Sequence, residues 1–245
     1  MKKIKDIMAD TAHRPWALPS GSWSYYQEWN RLLFMHFEVP FDVLRALVPT
    51  ALELDEFDGK YYISVVPFTM EKIRPRFLPA VGFISNFDEI NVRTYVKKEG
   101  KAGVYFLNIE GGKSLSVFVS KQLSGLPYEK ATMKRKEMVY ASSNEKKKFQ
   151  LEANYTIGEK VQQKTPLQIW LTERYCLYVY VNNNLYRYQI HHEEWELKTI
   201  AFEQLKVDYQ LAGIHLTEKN VIAPNYADGI RVVAWSKEKV RSEEW

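Results

Sequence analysis

The feature that most constrains this chain is an alternating segment from Ser85 to Val96, SNFDEINVRTYV. In a β-strand, successive side chains point to opposite faces. One face would carry Phe87, Glu89, Asn91, Arg93 and Tyr95. The other face would carry Ile90, Val92, Thr94 and Val96, an ordinary core set. The first row is either an exposed polar stripe or the lining of a cavity, and that choice decides whether the protein has a site.

Composition and turn signals extend the strand prediction to most of the chain. The 16 Tyr, 12 Phe and 7 Trp favour strands, as aromatic residues do in general. Hairpins are predicted around Asp58-Gly59, around Glu99-Gly100, and between 130–143 and 148–155. Short helices are predicted after Pro40 and after Thr165-Pro166, while 71–82 is predicted to be a loop. We therefore expect a mostly β (α+β) protein, an antiparallel barrel or strongly curved sheet with a few short helices.

One segment, Lys113 to Leu123, fits both strand alternation and a helical stripe, and the sequence leaves it open. No repeat or linker divides the 245 residues, so a single domain is expected. Residues 1–15 are expected to be a lead-in and residues 236–245 a fraying tail.

Charge and cysteine content limit the class of partner and the compartment. The formal net charge of +4 is mild, so nucleic-acid binding is not expected. The single cysteine, Cys176, fits a reducing compartment. The basic N-terminus lacks the apolar core of a signal peptide, and no apolar run is long enough to span a bilayer. We expect a soluble cytoplasmic protein with no membrane association.

The run His191-His192-Glu193-Glu194 is the one sequence that invites a metal site. In a strand the two histidines point to opposite faces, so they do not easily share an ion. His192 and Glu194 lie on one face, but no local spacing fixes a third ligand. A hydrogen-bonded His192 beside Trp195 is the simpler interpretation. No metal and no cofactor are predicted.

A second charged pair, Glu173-Arg174, precedes a strand that is apolar on both faces, 175–181. Such a pair must reach solvent, a partner or a cavity. Arginine can bind a carboxylate through two hydrogen bonds. A barrel lined with Arg174 and the row on 87–95 would suit a small acid. The alternative is a structural ion-pair network between neighbouring strands.

Several segments together resemble the YqjF-like family of unknown function. They are FDEINVRTYV, GVYFLNIE, SGLPYEKA, LTERYCLY and IHHEEWEL, with FMHFEVPFDVLRALVPTALELDEFDGKYYISVVPF in the N-terminal half. The resemblance runs from about Trp16 to Trp235. That family is similar in turn to acetoacetate decarboxylase, whose fold is a cone-shaped antiparallel β-barrel with peripheral helices. The resemblance implies that the polar row faces the barrel interior, with Glu89 at the position of a glutamate of those decarboxylases.

The resemblance also locates a departure from decarboxylase chemistry. Those enzymes carry a turn in which the first of two lysines forms a Schiff base with a keto acid, and the second lowers its pKa. The matching turn here is Gly125-Leu126-Pro127-Tyr128-Glu129, with Tyr128 in the place of the nucleophile. A phenol cannot form an iminium, and a carboxylate raises a neighbouring lysine's pKa. The resemblance therefore implies the fold and a pocket without the Schiff base.

Three hypotheses follow: an enzyme acting on a small keto or hydroxy acid, a barrel that binds such an acid unchanged, and a structural or regulatory protein. In the first, Glu89 and Tyr128 are the catalytic residues, with lyase- or hydrolase-like general acid/base chemistry. The predicted substrate-binding residues are Asn91, Arg93, Tyr95, Arg174 and His192. The related decarboxylases are oligomers, so a homo-oligomer is an option that the sequence does not decide.

Overall fold

The computed structural model describes residues 4–113 and 127–240. The described strands are β1 (Tyr25–Val39), β2 (Glu53–Leu54), β3 (Tyr61–Pro75), β4 (Phe87–Lys98), β5 (Lys101–Gly111), β6 (Tyr128–Lys130), β7 (Thr132–Lys136), β8 (Val139–Asn144), β9 (Phe149–Lys160), β10 (Cys176–Val181), β11 (Asn184–His192), β12 (Lys198–Leu211), β13 (Ile214–Thr217), β14 (Ile222–Ala234) and β15 (Glu238–Val240). The described helices are α1 (Ile4–Ala9), α2 (Phe41–Arg45), α3 (Gly82–Ser85) and α4 (Pro166–Thr172). The prediction of a mostly β protein with a strongly curved sheet and short helices is confirmed.

Seven strands close into a ring in the order β1, β3, β4, β5, β10, β11 and β14. Most neighbours are antiparallel, but β10 and β6 both pair with β5 in parallel. The close approach of β10 needs Gly103, since a Cβ there would lie 2.5 Å from the carbonyl oxygen of Cys176. The ring places β4 between β3 and β5, so the polar row lies in the middle of the closed sheet.

The remaining strands form an extension of the same sheet that covers one face of the ring. β12 continues from β14, and β9, β8 and β7 follow it in order. Ile90 and Val92 of β4 join Leu151 and Val207 of the extension in the largest apolar cluster. The other face of β4 belongs to a second cluster that includes Phe34, Phe68 and Trp195. Strand β4 is therefore buried on both faces.

Two of the predicted turns have the backbone that their sequences favour. Asp58 and Gly59 both have positive φ, 51° and 74°, and so do Glu99 and Gly100, at 52° and 72°. Two-residue hairpin turns of this kind match the twist of the flanking strands. The helix predicted after Thr165 is also present, with a capping box between Thr165 and Gln168.

Two local expectations are wrong. Residues 130–143 do not form one strand: β7 and β8 reverse at Glu137, whose φ of 49° makes a turn without a Gly, Asn or Asp signal. Residues 71–75 continue β3 because they pair with β1. The lead-in 1–15 includes α1, and the tail 236–245 includes β15, which pairs with β11. The lead-in and the fraying of the tail stay predictions. The ambiguous segment 113–123 falls almost wholly on 114–126, outside the described residues.

Within the described part of the chain, no helix is both long and apolar enough to cross a membrane. All fifteen described strands belong to one hydrogen-bonded sheet. That arrangement accords with a single domain, which stays a prediction.

Candidate functional site

The polar row of β4 is buried over its whole length. Glu89 is 2 % exposed, Asn91 9 %, Arg93 8 % and Tyr95 1 %. The exposed-stripe interpretation is therefore excluded. Two neighbouring strands extend the row sideways, because Arg93 pairs with Ser64 of β3, and Ser64 pairs with His36 of β1. We call the face that carries these side chains the interior polar face.

At one end of the interior polar face, Glu89 and Tyr128 form a closed pair. The Tyr128 hydroxyl donates to Glu89 Oε2 at 2.8 Å. Tyr128 reaches this position because β6 pairs with β5, where Tyr128 lies opposite Ile109 and Ile109 opposite Asn91. Burial raises the pKa of Glu89 to about 8, and the bond from Tyr128 lowers it in part. Glu89 therefore carries its proton at neutral pH.

At the other end, Arg93 has a buried guanidinium without a counterion among residues 4–113 and 127–240. Its Nε has no hydrogen-bond partner. Its guanidinium lies over the Phe34 ring, with 6.0 Å between Cζ and the ring centroid. A buried cation usually has a partner, because the cost of its desolvation is otherwise uncompensated. Arg93 is thus not part of an ion-pair network in the described structure.

Asn91 lies between these two ends, two residues from each along β4. Its buried Oδ1 accepts no hydrogen bond from the described residues. Along β4, the interior polar face thus presents the protonated carboxyl of Glu89, the Asn91 oxygen and the Arg93 guanidinium, in that order. The Asn91 oxygen has no donor and Arg93 has no counterion among the described residues. The three groups span about 13 Å from Glu89 to Arg93 at the rise of a strand.

Tyr95 is engaged in a chain of hydrogen bonds. Its hydroxyl lies 2.5 Å from Ser64 Oγ, and Ser64 Oγ lies 2.6 Å from His36 Nδ1. Burial, helped by the charge of Arg93, lowers the pKa of His36 to about 3, so the ring is neutral. We did not predict a role for His36 or Ser64. The alternation of RLLFMHFEV was the signal, because it sets His36 on the same face as Phe34.

Arg174 is close to Tyr95 but is already paired. Its Nη1 donates to Asp55 Oδ2 at 2.5 Å, and its Nε donates to the carbonyl oxygen of Trp170 at 2.6 Å. Its Cζ lies 4.1 Å from the Trp170 ring centroid. Since Nη2 alone is left without a partner, Arg174 has less capacity than Arg93 to bind a second carboxylate.

His192 lies among aromatic side chains. Its ring centroid is 5.5 Å from that of Trp195, which in turn contacts Phe34 at 5.2 Å. Burial lowers the pKa of His192 to about 4, and Nδ1 bonds to the carbonyl oxygen of Glu193. His191 points the other way, to the carbonyl oxygen of Ile7. Over the described ranges, no three His, Cys, Asp or Glu side chains are placed to share a metal ion.

An open cleft of about 700 Å³ lies beside Tyr128. It is lined by residues 128–132 together with Ser143, Glu145 and Lys146. Tyr128 thus both borders this cleft and bonds the buried Glu89. Lys130 borders the cleft, and no described contact joins it to Glu89.

The ring of seven curved strands defines the class: a mostly β protein with an acetoacetate decarboxylase-like fold. Within that class, the chain belongs to the family DUF2071, described as an uncharacterized conserved protein, which matches residues 26–234. It is 36 % identical over 234 residues to the uncharacterized protein YqjF of Bacillus subtilis (strain 168), covering 91 % of this chain and 95 % of the relative. The expected resemblance to the YqjF-like family is confirmed.

Solved structures share the fold at low sequence identity. The enduracididine biosynthesis enzyme MppR complexed with pyruvate superposes with a TM-score of 0.61 and 12 % identity, over 94 % of this chain and 95 % of that one. An acetoacetate decarboxylase superposes with a TM-score of 0.59 and 16 % identity, over 99 % and 100 %. The decarboxylase of Legionella pneumophila gives 0.57 and 13 %, over 96 % of each chain. At these identities the likeness shows the fold alone.

Proposed function

We propose that the interior polar face binds a small organic acid, with the carboxylate on Arg93. The observation that carries this proposal is the buried guanidinium without a counterion in the described structure. An acid would supply the missing charge and a bidentate partner. The structural neighbour MppR was solved with pyruvate, a small acid, which supports the class of ligand.

In this proposal Glu89 is the acid group of the site. Its raised pKa keeps a proton available at neutral pH, and Tyr128 holds the carboxyl in place. A protonated carboxyl beside a bound acid can donate to a ligand oxygen that gains negative charge. Glu89 and Tyr128 are therefore the proposed catalytic residues, and Asn91, Arg93 and Tyr95 are the proposed binding residues. Arg174 and His192 stay predicted binding residues outside this core set. Arg174 already bonds Asp55, and the His192 ring already packs against Trp195.

We further propose that no Schiff base forms. Tyr128 stands in the turn where the resemblance implies a nucleophilic lysine, and its hydroxyl is committed to Glu89. The test is incubation with acetoacetate and borohydride, followed by mass measurement of the intact protein. An unchanged mass is expected, and a stable adduct contradicts the proposal.

A binding protein without catalysis is the second candidate. The bond between Tyr128 and Glu89 favours it, because each of the two side chains already has a partner within the protein. Ligand consumption followed by NMR separates the two candidates. Turnover that Glu89→Gln abolishes supports the enzyme, whereas tight binding with no change in the ligand supports the binder.

Binding itself is tested by calorimetry with a panel of small acids against the wild type and Arg93→Met. Acid binding to the wild type is expected, with a loss of at least tenfold in the variant, since a charge-assisted pair contributes about 1.5–3 kcal/mol. If no acid binds the wild type, or if Arg93→Met binds acids equally well, the proposed function is wrong. A cytoplasmic location and a homo-oligomer remain part of the proposal.

A further inference from the structure

The hydrogen-bond chain behind Arg93 determines which nitrogen of His36 carries its hydrogen. The chain runs from the Tyr95 hydroxyl through Ser64 Oγ to His36 Nδ1, and the three residues are 1 %, 0 % and 1 % exposed. Each of the two contacts has a single hydrogen between its atoms. Three arrangements of these hydrogens are possible, and only one gives both hydroxyl hydrogens an acceptor.

If His36 Nδ1 donated to Ser64, the hydroxyl hydrogen of either Ser64 or Tyr95 would need another acceptor. The described residues offer it none. If Tyr95 donates to Ser64 instead, Ser64 donates to Nδ1 and both hydroxyl hydrogens are satisfied. An Nδ1–H ring would leave a hydroxyl hydrogen and the Nε2 lone pair without partners among the described residues, whereas an Nε2–H ring leaves only that N–H group. Because each unsatisfied buried polar group is costly, the arrangement in which Tyr95 donates to Ser64 and Ser64 donates to Nδ1 holds. The neutral imidazole then carries its hydrogen on Nε2.

This Nε2–H lies on the interior polar face, in the same row as Arg93. His36 pairs with Ser64 and Ser64 pairs with Arg93, so the two donors flank one serine. His36 Nε2 makes no hydrogen bond to the described residues. Arg93 Nε makes none either. Asn91, the next residue of the face along β4, contributes an acceptor, Oδ1, that is equally unfilled. Among the described residues, two donors and one acceptor on the same face are thus left without partners.

We propose that this trio selects a 2-hydroxy acid over the corresponding 2-keto acid. The carboxylate oxygens accept from Arg93 and from His36 Nε2–H, and the 2-hydroxyl group donates to Asn91 Oδ1. A keto oxygen has no hydrogen to donate, so Asn91 Oδ1 would stay without a donor. The two oxygens, both acceptors, would also repel each other. The inference rests on the proposed function and narrows its ligand class.

The charge state of His36 agrees with this assignment. Burial and the nearby Arg93 hold the pKa of His36 at about 3. The ring therefore stays neutral from pH 5 to pH 8, where a small carboxylic acid is ionised. With His36 neutral, Arg93 supplies one positive charge, which matches the single negative charge of the carboxylate.

The test compares matched pairs by calorimetry: lactate with pyruvate, and 2-hydroxybutyrate with 2-oxobutyrate. The wild type is expected to bind each hydroxy acid about tenfold more tightly, the value of one good hydrogen bond. Asn91→Leu should remove this preference by weakening only the hydroxy acids. His36→Phe keeps the ring against Phe34 and should weaken both members of each pair.

Keto acids that bind as tightly as hydroxy acids, through Arg93, would overturn this inference and leave the proposed function intact. If neither the wild type nor Arg93→Met binds any of these acids, both this inference and the proposed function are wrong. Because His36→Phe alters a buried position, a second measurement uses the wild type alone. Nitrogen NMR of labelled histidine should give the Nε2–H tautomer for His36, with an Nε2 shift when lactate is added. Tyr95→Phe should produce a mixture of tautomers, whereas an Nδ1–H wild type contradicts the proposal.

Discussion

Tyr128 donates a hydrogen bond to Glu89 from a strand that is not adjacent to the one carrying Glu89. The bond crosses β5, because Tyr128 pairs with Ile109 while Glu89 pairs with Gly111. It joins the outer cleft to the interior polar face and holds a carboxyl that is otherwise isolated from charge. Both the stability of the fold and the chemistry of the site should therefore depend on pH through Glu89.

The first prediction concerns the free energy of unfolding between pH 4.5 and pH 8. The folded-state pKa of Glu89 is about 8, above the ordinary value of 4.5, so the folded protein holds one more proton than the unfolded chain in this range. The contribution of Glu89 is full below pH 4.5 and is lost as pH rises through 8. Glu89→Gln should flatten the pH dependence by up to about 1.4 kcal/mol per pH unit. Denaturant unfolding of both proteins at several pH values measures this slope.

A matched control is Glu152→Gln, a change on the exposed side of β9. It should leave the slope of the wild type unchanged. Identical slopes for Glu89→Gln and the wild type would show that Glu89 is ionised in the fold.

The second prediction concerns the phenol itself. Tyr128→Phe should lower the free energy of unfolding by about 1–2 kcal/mol, because it leaves a buried carboxyl oxygen without this donor. It should also raise the pKa of Glu89 further, since the bond from Tyr128 favours the charged form. Tyr180→Phe, at an exposed tyrosine, is the control and should be neutral. Equal stability of all three proteins is incompatible with a closed pair.

The third prediction contrasts two buried arginines. Arg174 is paired with Asp55, and Arg93 has no counterion among the residues described. Arg174→Met should cost about 3 kcal/mol, because it leaves the carboxylate of Asp55 buried without its main partner. Arg93→Met should cost little or should stabilise the empty protein, because it removes an uncompensated charge. Thermal unfolding without ligand measures both, and a larger loss for Arg93→Met would reveal a structural partner.

The fourth prediction concerns the N-terminal segment, which packs across β11. His191 bonds the carbonyl oxygen of Ile7, and Arg14 bonds that of Ile190. Burial lowers the pKa of His191, with Arg14 and His13 adding to the shift. The docked state is therefore most stable above pH 6.5 and weakens as pH falls through the lowered pKa. Limited proteolysis within residues 4–16 should accelerate from pH 7 to pH 5.

His191→Gln should reduce this acceleration because it removes the titrating group. His215→Gln, at an exposed histidine, should retain it. Cleavage that is independent of pH in the wild type would rule out the role of His191.

The sequence allowed the prediction of the elements that depend on local signals. Strand β4, its hairpin with β5 and the capped helix α4 all carry such signals, and the alternation on β4 placed Glu89 and Arg93 on one face. Pairing between distant strands has no local signal, so the closure of β11 onto β14 was not foreseen. The partner of Arg174 was missed for the same reason, because Asp55 is 119 residues away in the chain.

The ring has a consequence for how the chain reaches this structure. Strand β1 needs β14 as a neighbour, so its pairing is complete only after residues 222–234 have been synthesised. During translation, β1 lacks one of its two neighbouring strands for almost the whole length of the chain. Folds dominated by such distant pairings form slowly and expose unpaired edges on the way. A chain shortened before β14 should therefore aggregate rather than retain a weakened site.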